Sequence, residues 1–137
     1  MGNTELFNEW MQYAEEDRQM AELALEGNGP VNQICFHSQQ MAEKSLKGFL
    51  VLNKVRFERA HQLDYLLALC QKLDIEFAEL TEDVKFLTDF YTETRYPGDV
   101  PEFTLAEGRR AYQGALTVKE FVSRKGNHAR SSPASVI

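Results

Sequence analysis

One stretch of the chain carries polar residues at the spacing of a single helix face. At about 100° per residue, five side chains fall within about 80° of one another, and they are Gln33, His37, Gln40, Lys44 and Lys47. Two ammonium groups can hold a phosphate by charge, while an imidazole and two amides can hydrogen-bond a base. A face of this composition could bind a phosphate or a nucleotide. The alternative is a solvated face without a ligand, because Lys and Gln are normally exposed.

A second candidate is the turn at positions 94–99, which reads Thr-Arg-Tyr-Pro-Gly-Asp. The residue before a proline avoids helical geometry, so a helix should end near Tyr96. Arg95 would then project from a helix end beside an aromatic ring, an arrangement that can grip a phosphate and a base together. In the alternative interpretation, Arg95 pairs with Asp17 or Asp99, and Tyr96 packs against its neighbours.

Asp17 falls among the apolar residues that form the stripe of the first predicted helix. An unpaired buried carboxylate is costly, so this position requires a cationic partner. Lys44, Lys47 or Arg95 could supply it, and a structural ion pair is predicted in preference to a catalytic acid. His61, which opens the third predicted helix, is interpreted as a local helix cap.

Composition and motifs narrow the classes of function. Cys35 and Cys70 belong to no CxxC pair or zinc-spaced cluster, which predicts buried, reduced thiols in a cytoplasmic protein. No phosphate-binding glycine loop, HExxH or GxSxG motif occurs, so no metal or other cofactor is predicted. The formal charge of −6 argues against a protein that coats DNA. No apolar run approaches the ~20 residues of a membrane span, so no membrane association is expected.

Apolar side chains recur at the 3.6-residue period of a helix along most of the chain. Helices are predicted over 4–26, 30–54, 61–73, 81–96 and 104–124, with a short turn near 76–80. Thr4, Thr81 and Thr104 are expected to cap three of them, the last in a capping box with Glu107. Short links make neighbouring helices antiparallel. The predicted fold is therefore all-α, an up-and-down antiparallel bundle of four long helices plus a short fifth over 4–125, followed by a disordered tail at 126–137.

The segment 35–47, Cys-Phe-His-Ser-Gln-Gln-Met-Ala-Glu-Lys-Ser-Leu-Lys, resembles the signature helix of the HEPN family (higher eukaryotes and prokaryotes nucleotide-binding). Residues 10–17 are similar to the family's first helix, and residues 61–63 with the following leucines are similar to its third. Residues 95–99 are similar to its arginine-bearing loop. These segments occur in the family's order and extend over about residues 5–123.

The resemblance implies a helical bundle that forms a homodimer with a cleft between the subunits. Many members are ribonucleases that use an arginine followed, after four to six residues, by a histidine. Counted from Arg95, the positions for that histidine hold Val100, Pro101 and Glu102, and none transfers a proton as a histidine does. The resemblance therefore implies a stand-alone, non-catalytic member that binds nucleotides, works with a minimal nucleotidyltransferase partner and is related to toxin–antitoxin pairs.

Three interpretations of the function remain open. The first is a non-catalytic nucleotide-binding module. The second is a toxin-like ribonuclease with an altered site, in which Arg95 acts with His37 or His61. The third is a structural dimerisation module. In a homodimer, a partner helix could approach the small residues of the last helix, which are Gly108, Ala111, Gly114 and Ala115. In the alternative interpretation, these small residues serve packing within the chain.

Under the first interpretation, the two candidate segments form one groove for the phosphate of a nucleotide or RNA. This requires the second and fourth helices to be neighbours or to meet across a dimer. The residues predicted to line the groove or to lie near it are Lys44, Lys47, Arg95, Tyr96, His37, Gln40 and Asp99.

Overall fold

Five α-helices and one turn of 3-10 helix make up the parts of the chain that the structure describes. This computed structural model describes residues 2–58, 62–89 and 103–130. None of these helices is both long and apolar enough to cross a membrane. The predicted all-α class is confirmed, since no strand occurs within those three ranges. The elements are α1 (Asn3–Glu26), α2 (Val31–Leu52), α3 (Leu63–Leu73), the 3-10 turn (Ile75–Leu80), α4 (Thr81–Thr88) and α5 (Leu105–Arg130).

Local sequence sets two of the helix boundaries. α1 ends at Glu26 because the chain turns at the next residues, where Asn28 adopts a positive φ of 54° between two glycines. α5 begins at a capping box: the Thr104 N–H donates to the Glu107 carboxylate at 2.9 Å, and the Glu107 N–H donates to the Thr104 hydroxyl at 3.1 Å. The sequence predicts this capping box, and the structure confirms it.

The other two predicted caps are wrong. α1 begins after Gly2, so Thr4 lies inside its first turn rather than at the cap position. α4 begins at Thr81, with Leu80 at the cap position, and the Thr81 hydroxyl donates to the Ala78 carbonyl at 2.7 Å. Because the 3-10 turn runs directly into α4, the helix needs no side-chain cap to begin there.

The helix α2 is central, and α1, α3, α4 and α5 all pack against it. Its apolar face is wide enough to contact several neighbours, so every residue from 41 to 50 is buried except Lys44. Gly48 allows a close approach to α1, since a Cβ there would meet the Trp10 Cβ at 3.1 Å. Lys44 is thus the residue of this buried stretch that reaches solvent.

The small residues of α5 face other helices of this chain. Ala111 and Ala115 are fully buried in the core. A Cβ at Gly108 would meet a side chain of α2 at 3.1 Å, and one at Gly114 would meet a side chain of α4 at 3.1 Å. Of the two roles predicted for these four residues, the structure shows packing within the chain, because neighbours within the chain already cover them. The homodimer itself stays a prediction.

The helix α5 continues past its predicted end near residue 124 as far as Arg130. Gly126 is buried, and a Cβ at this position would overlap the ring of Phe7 on α1. The glycine therefore lets the end of α5 lie directly against the start of α1. The first residues of the predicted tail belong to this helix, and the rest of that tail lies outside the described ranges.

Both cysteines are buried, as the sequence predicts. Cys35 lies in α2 and Cys70 in α3, and each belongs to the hydrophobic core. Burial raises the pKa of the Cys70 thiol to about 12, because a thiolate loses its hydration in apolar surroundings. Cys70 is therefore a packing residue with a thiol that stays protonated at neutral pH.

Candidate functional site

A polar cluster lies at the contact between α1 and α2. One oxygen of the Asp17 carboxylate lies 2.8 Å from His37 Nδ1, and the other accepts a hydrogen bond from Lys44 Nζ at 2.6 Å. The Asp17 side chain is 9% exposed, whereas those of His37 and Lys44 are 18% and 27% exposed. The carboxylate is enclosed, and its two partners open onto solvent. These three residues are called the seam cluster below.

Helix geometry brings the three side chains together. His37 and Lys44 are seven residues apart, so two turns of α2 place them on the same face. Asp17 faces them from α1, one turn from Ala14 and one from Ala21, both of which are fully buried. These small neighbours let α2 approach closely enough for a short aspartate side chain to reach both partners.

The carboxylate decides which nitrogen of His37 carries the proton. An ionised carboxylate has no proton to donate, so Nδ1 must be the donor, and Nε2 of the neutral ring is left as an acceptor. Within the described residues, Nε2 has no hydrogen-bond partner. Lys44 has three N–H donors and in the same ranges uses one of them, on Asp17. The seam cluster can therefore offer further polar contacts to a ligand.

Lys47 does not join the seam cluster. Its ammonium lies 3.1 Å from the Glu43 carboxylate, and 5.8 and 5.9 Å from the ring centres of Trp10 and Phe57. The position expected for Lys47, on an open face opposite the core, is wrong because α1 covers that part of α2 through Trp10. A lysine held in this way contributes to the contact between helices rather than offering its charge to a ligand.

Gln40 lies on α2 one turn from His37 and one turn from Lys44, and it is half-buried. Gln40 is thus the predicted site residue that lies next to the seam cluster along α2. The remaining site candidates lie outside the described ranges, so their approach to α2 stays a prediction. They are Arg95, Tyr96 and Asp99, and His61 lies outside as well.

The ion pair predicted for Asp17 is confirmed, and Lys44 is one of the partners that the sequence suggested. Sequence reasoning did not find His37 as the second partner. It also missed Phe36, which is 51% exposed and whose ring meets the ring of His37 edge to face, with 5.1 Å between the centroids. The sequence does contain a signal for Phe36, because this apolar residue lies four positions before Gln40, on the polar side of the helix.

Comparison with known proteins assigns the chain to a family. A family model described as the HEPN domain matches residues 7–125 of the chain. The chain belongs to the HEPN domain family. The matched range contains the whole seam cluster together with Phe36 and Gln40. No curated protein matches the chain.

Two solved structures share this HEPN bundle over most of the chain. A protein from Thermus thermophilus is 31% identical to it, with a TM-score of 0.74 over 87% of this chain and 97% of its own. An archaeal HEPN homologue is 27% identical, with a TM-score of 0.72 over 88% of this chain and 97% of its own. Nearly the full length of each relative thus corresponds to the bundle described here.

Proposed function

We propose that this HEPN protein is a non-catalytic nucleotide-binding module and that the seam cluster binds a phosphate of the ligand. The observation that carries the proposal is the position of Lys44. Its ammonium is held 2.6 Å from the Asp17 carboxylate, while 27% of its side chain stays exposed. A lysine that is already held in place loses less conformational freedom when a phosphate binds than a freely rotating lysine loses.

The charges of Asp17 and Lys44 cancel within the seam cluster, so a phosphate gains net attraction only from a further cation. We propose that Arg95 supplies that cation, with Tyr96 beside it and Asp99 nearby, as in the groove predicted from the sequence. A guanidinium can bind a phosphate through two parallel hydrogen bonds, which makes it well suited to this role.

The proposal also includes partners. The HEPN resemblance implies a homodimer that works with a minimal nucleotidyltransferase, and the buried thiols fit a cytoplasmic location. The bound phosphate would belong to a nucleotide or to RNA. Sedimentation velocity at tens of micromolar, roughly where weak dimers form, tests the homodimer. A clean monomer under those conditions would contradict it.

Calorimetry with ATP and GTP tests the phosphate site. Lys44→Met removes the ammonium and keeps a flexible side chain, and Arg95→Ala removes the proposed second cation. Losing one charge-assisted contact costs roughly 1.5–3 kcal/mol, so each affinity should fall about 10- to 100-fold. Lys44→Arg should keep part of the binding. Lys72→Met, at an exposed position of α3, should bind like the wild type.

Thermal unfolding of each variant is measured first, because Lys44 also contacts Asp17. If the wild type bound neither nucleotide, the proposed function would be rejected. If a folded Lys44→Met variant bound ATP as well as the wild type, the seam cluster would not be the phosphate site.

A second candidate is a ribonuclease with an altered site, and the contact between Asp17 and His37 favours it. A carboxylate that binds Nδ1 fixes the imidazole so that Nε2 can accept a proton, which is the arrangement of a general base. In this function Arg95 would stabilise charge on the phosphate, and His37 would replace the histidine that is absent from positions 100–102.

An RNA cleavage assay in the presence of a metal chelator distinguishes the two candidates. We expect no detectable cleavage, because general acid–base catalysis is typically worth about 10² to 10⁴ in rate and the usual histidine is missing. Cleavage that disappears in both His37→Ala and Arg95→Ala, but persists in Lys72→Met, would establish the ribonuclease instead.

A further inference from the structure

We infer that the ligand of the seam cluster is a nucleoside phosphate whose base stacks on the exposed ring of Phe36. The inference rests on the proposed function and specifies the part of the ligand that a bare phosphate lacks. The ring of Phe36 meets the ring of His37, and His37 shares the Asp17 carboxylate with Lys44. Direct contacts thus join an exposed aromatic ring to an ammonium group.

The environment of Phe36 differs from that of the core aromatics. The residue is 51% exposed, and its contact with His37 holds the two ring planes at 80° to each other. A ring that is exposed but already held needs little ordering when a flat ligand binds to it. The buried phenylalanines of the described chain, by contrast, are Phe7, Phe49, Phe77 and Phe121.

Three side chains follow one another along α2 in the order that a nucleotide requires. Phe36, Gln40 and Lys44 are spaced four residues apart, so each lies about one helical turn, or ~6 Å, beyond the last. The ring can stack on a base, the amide can donate to and accept from the base edge, and the ammonium can bind the phosphate. Of these three side chains, an inorganic phosphate would use Lys44 alone.

Exposed apolar side chains also flank Asp17 along α1. Tyr13 and Met20 lie one turn before and one turn after Asp17, and each is 49% exposed. The ring of Tyr13 is held edge to face by Trp10, with 6.5 Å between the centroids. Apolar surface next to a cation favours a ligand that has a flat apolar part over a bare anion.

A matched pair of ligands distinguishes the contribution of the base to the binding affinity from that of the phosphates. Calorimetry compares ATP with inorganic tripolyphosphate, which carries the same phosphate chain without a nucleoside. Phe36→Ala should weaken ATP binding by about 5- to 100-fold, the range expected for one lost stacking contact. Its affinity for tripolyphosphate should stay the same. Phe36→Tyr keeps a ring and should bind ATP like the wild type, as should Leu73→Ala, which removes an exposed apolar side chain from α3.

The outcomes distinguish this inference from the proposed function. Equal ATP affinity of Phe36→Ala and the wild type would overturn the inference and leave the phosphate site standing. If the wild type bound neither ATP nor GTP, both would be overturned. If Phe36→Ala changed the sedimentation coefficient but not the ATP affinity, the ring would belong to an interface between copies of the chain, and the inference would again fail.

Discussion

Replacing Asp17 with alanine removes the group that holds the seam cluster together, and the effect on stability can be worked out from its contacts. The carboxylate contacts His37 at 2.8 Å and Lys44 at 2.6 Å. Hydrogen bonds to charged groups contribute roughly 1.5–3 kcal/mol each to the free energy of unfolding. Two such bonds would give about 3–6 kcal/mol if both partners were left buried without a replacement.

Two effects lower that figure. The side chains of His37 and Lys44 are 18% and 27% exposed, so both can reach water once Asp17 is gone. The substitution also removes the cost of burying the carboxylate itself. We therefore expect the free energy of unfolding to fall by about 2–4 kcal/mol, which is large against a typical domain stability of about 5–15 kcal/mol.

Urea denaturation followed by circular dichroism measures this loss as a lower midpoint at an unchanged m-value. Glu16→Ala is the matched control, because Glu16 is an exposed neighbour on α1 that accepts a long 3.5 Å bond from Gln12. It should change stability by less than about 0.5 kcal/mol. The double variant Asp17→Ala with Lys44→Met should cost less than the sum of the single variants. An Asp17→Ala variant within about 0.5 kcal/mol of the wild type would refute the reasoning.

Three other substitutions test the packing, the capping and the electrostatics of the bundle. Gly126→Ala pushes a methyl group into the buried ring of Phe7 and should lower the free energy of unfolding by about 1–3 kcal/mol in urea. Thr104→Ala removes the capping box of α5 and should lower it by about 1 kcal/mol in the same assay. Hydrogen bonds from Arg18 lower the pKa of Glu15 to about 2, from an ordinary value of 4.5. The stability that Glu15 adds is therefore complete above about pH 4.5 and is lost as the pH falls towards 2. The difference in the free energy of unfolding between the wild type and Glu15→Gln should accordingly become smaller from about pH 7 to about pH 3.

Each of these substitutions has a control at a comparable position. Gly2→Ala adds a methyl group where nothing lies within 4 Å, so it should lower the free energy of unfolding by less than Gly126→Ala does. Thr117→Ala removes an exposed hydroxyl from the middle of α5, where no cap is lost. Thr117→Ala is also the control for Glu15→Gln, because it removes no carboxylate and its stability gap to the wild type should stay the same over this range of pH. A test variant that behaves like its control would contradict the corresponding prediction.

The sequence predicts the features of the fold that depend on helical periodicity or on residues close together in the chain. The capping box of α5 needs only Thr104 and Glu107, which are three positions apart, and its chemistry is complete within that segment. The burial of Asp17 follows from helical periodicity, because a residue inside an apolar stripe faces a neighbouring helix. The need for a cationic partner follows in turn, since an unpaired buried carboxylate is costly, but the sequence left Lys44, Lys47 and Arg95 as candidates, and the structure shows Lys44.

The features that depend on which helix covers which face could not be predicted. Periodicity gives the angle of Lys47 around α2, but it does not reveal that Trp10 of α1 lies over it. The pairing of His37 depends on the register between α1 and α2, which periodicity leaves undetermined. Likewise, Gly126 has the composition of a flexible tail, and only its contact with Phe7 shows that it is a spacer between two helices.

A crystal structure of the protein soaked with ATP tests the nucleotide-binding account most directly. The account predicts a phosphate oxygen at about 2.7–3.2 Å from Lys44 Nζ, the ordinary length of such a hydrogen bond. ATP whose phosphates bind away from the contact between α1 and α2, with Lys44 still paired to Asp17 alone, would contradict it.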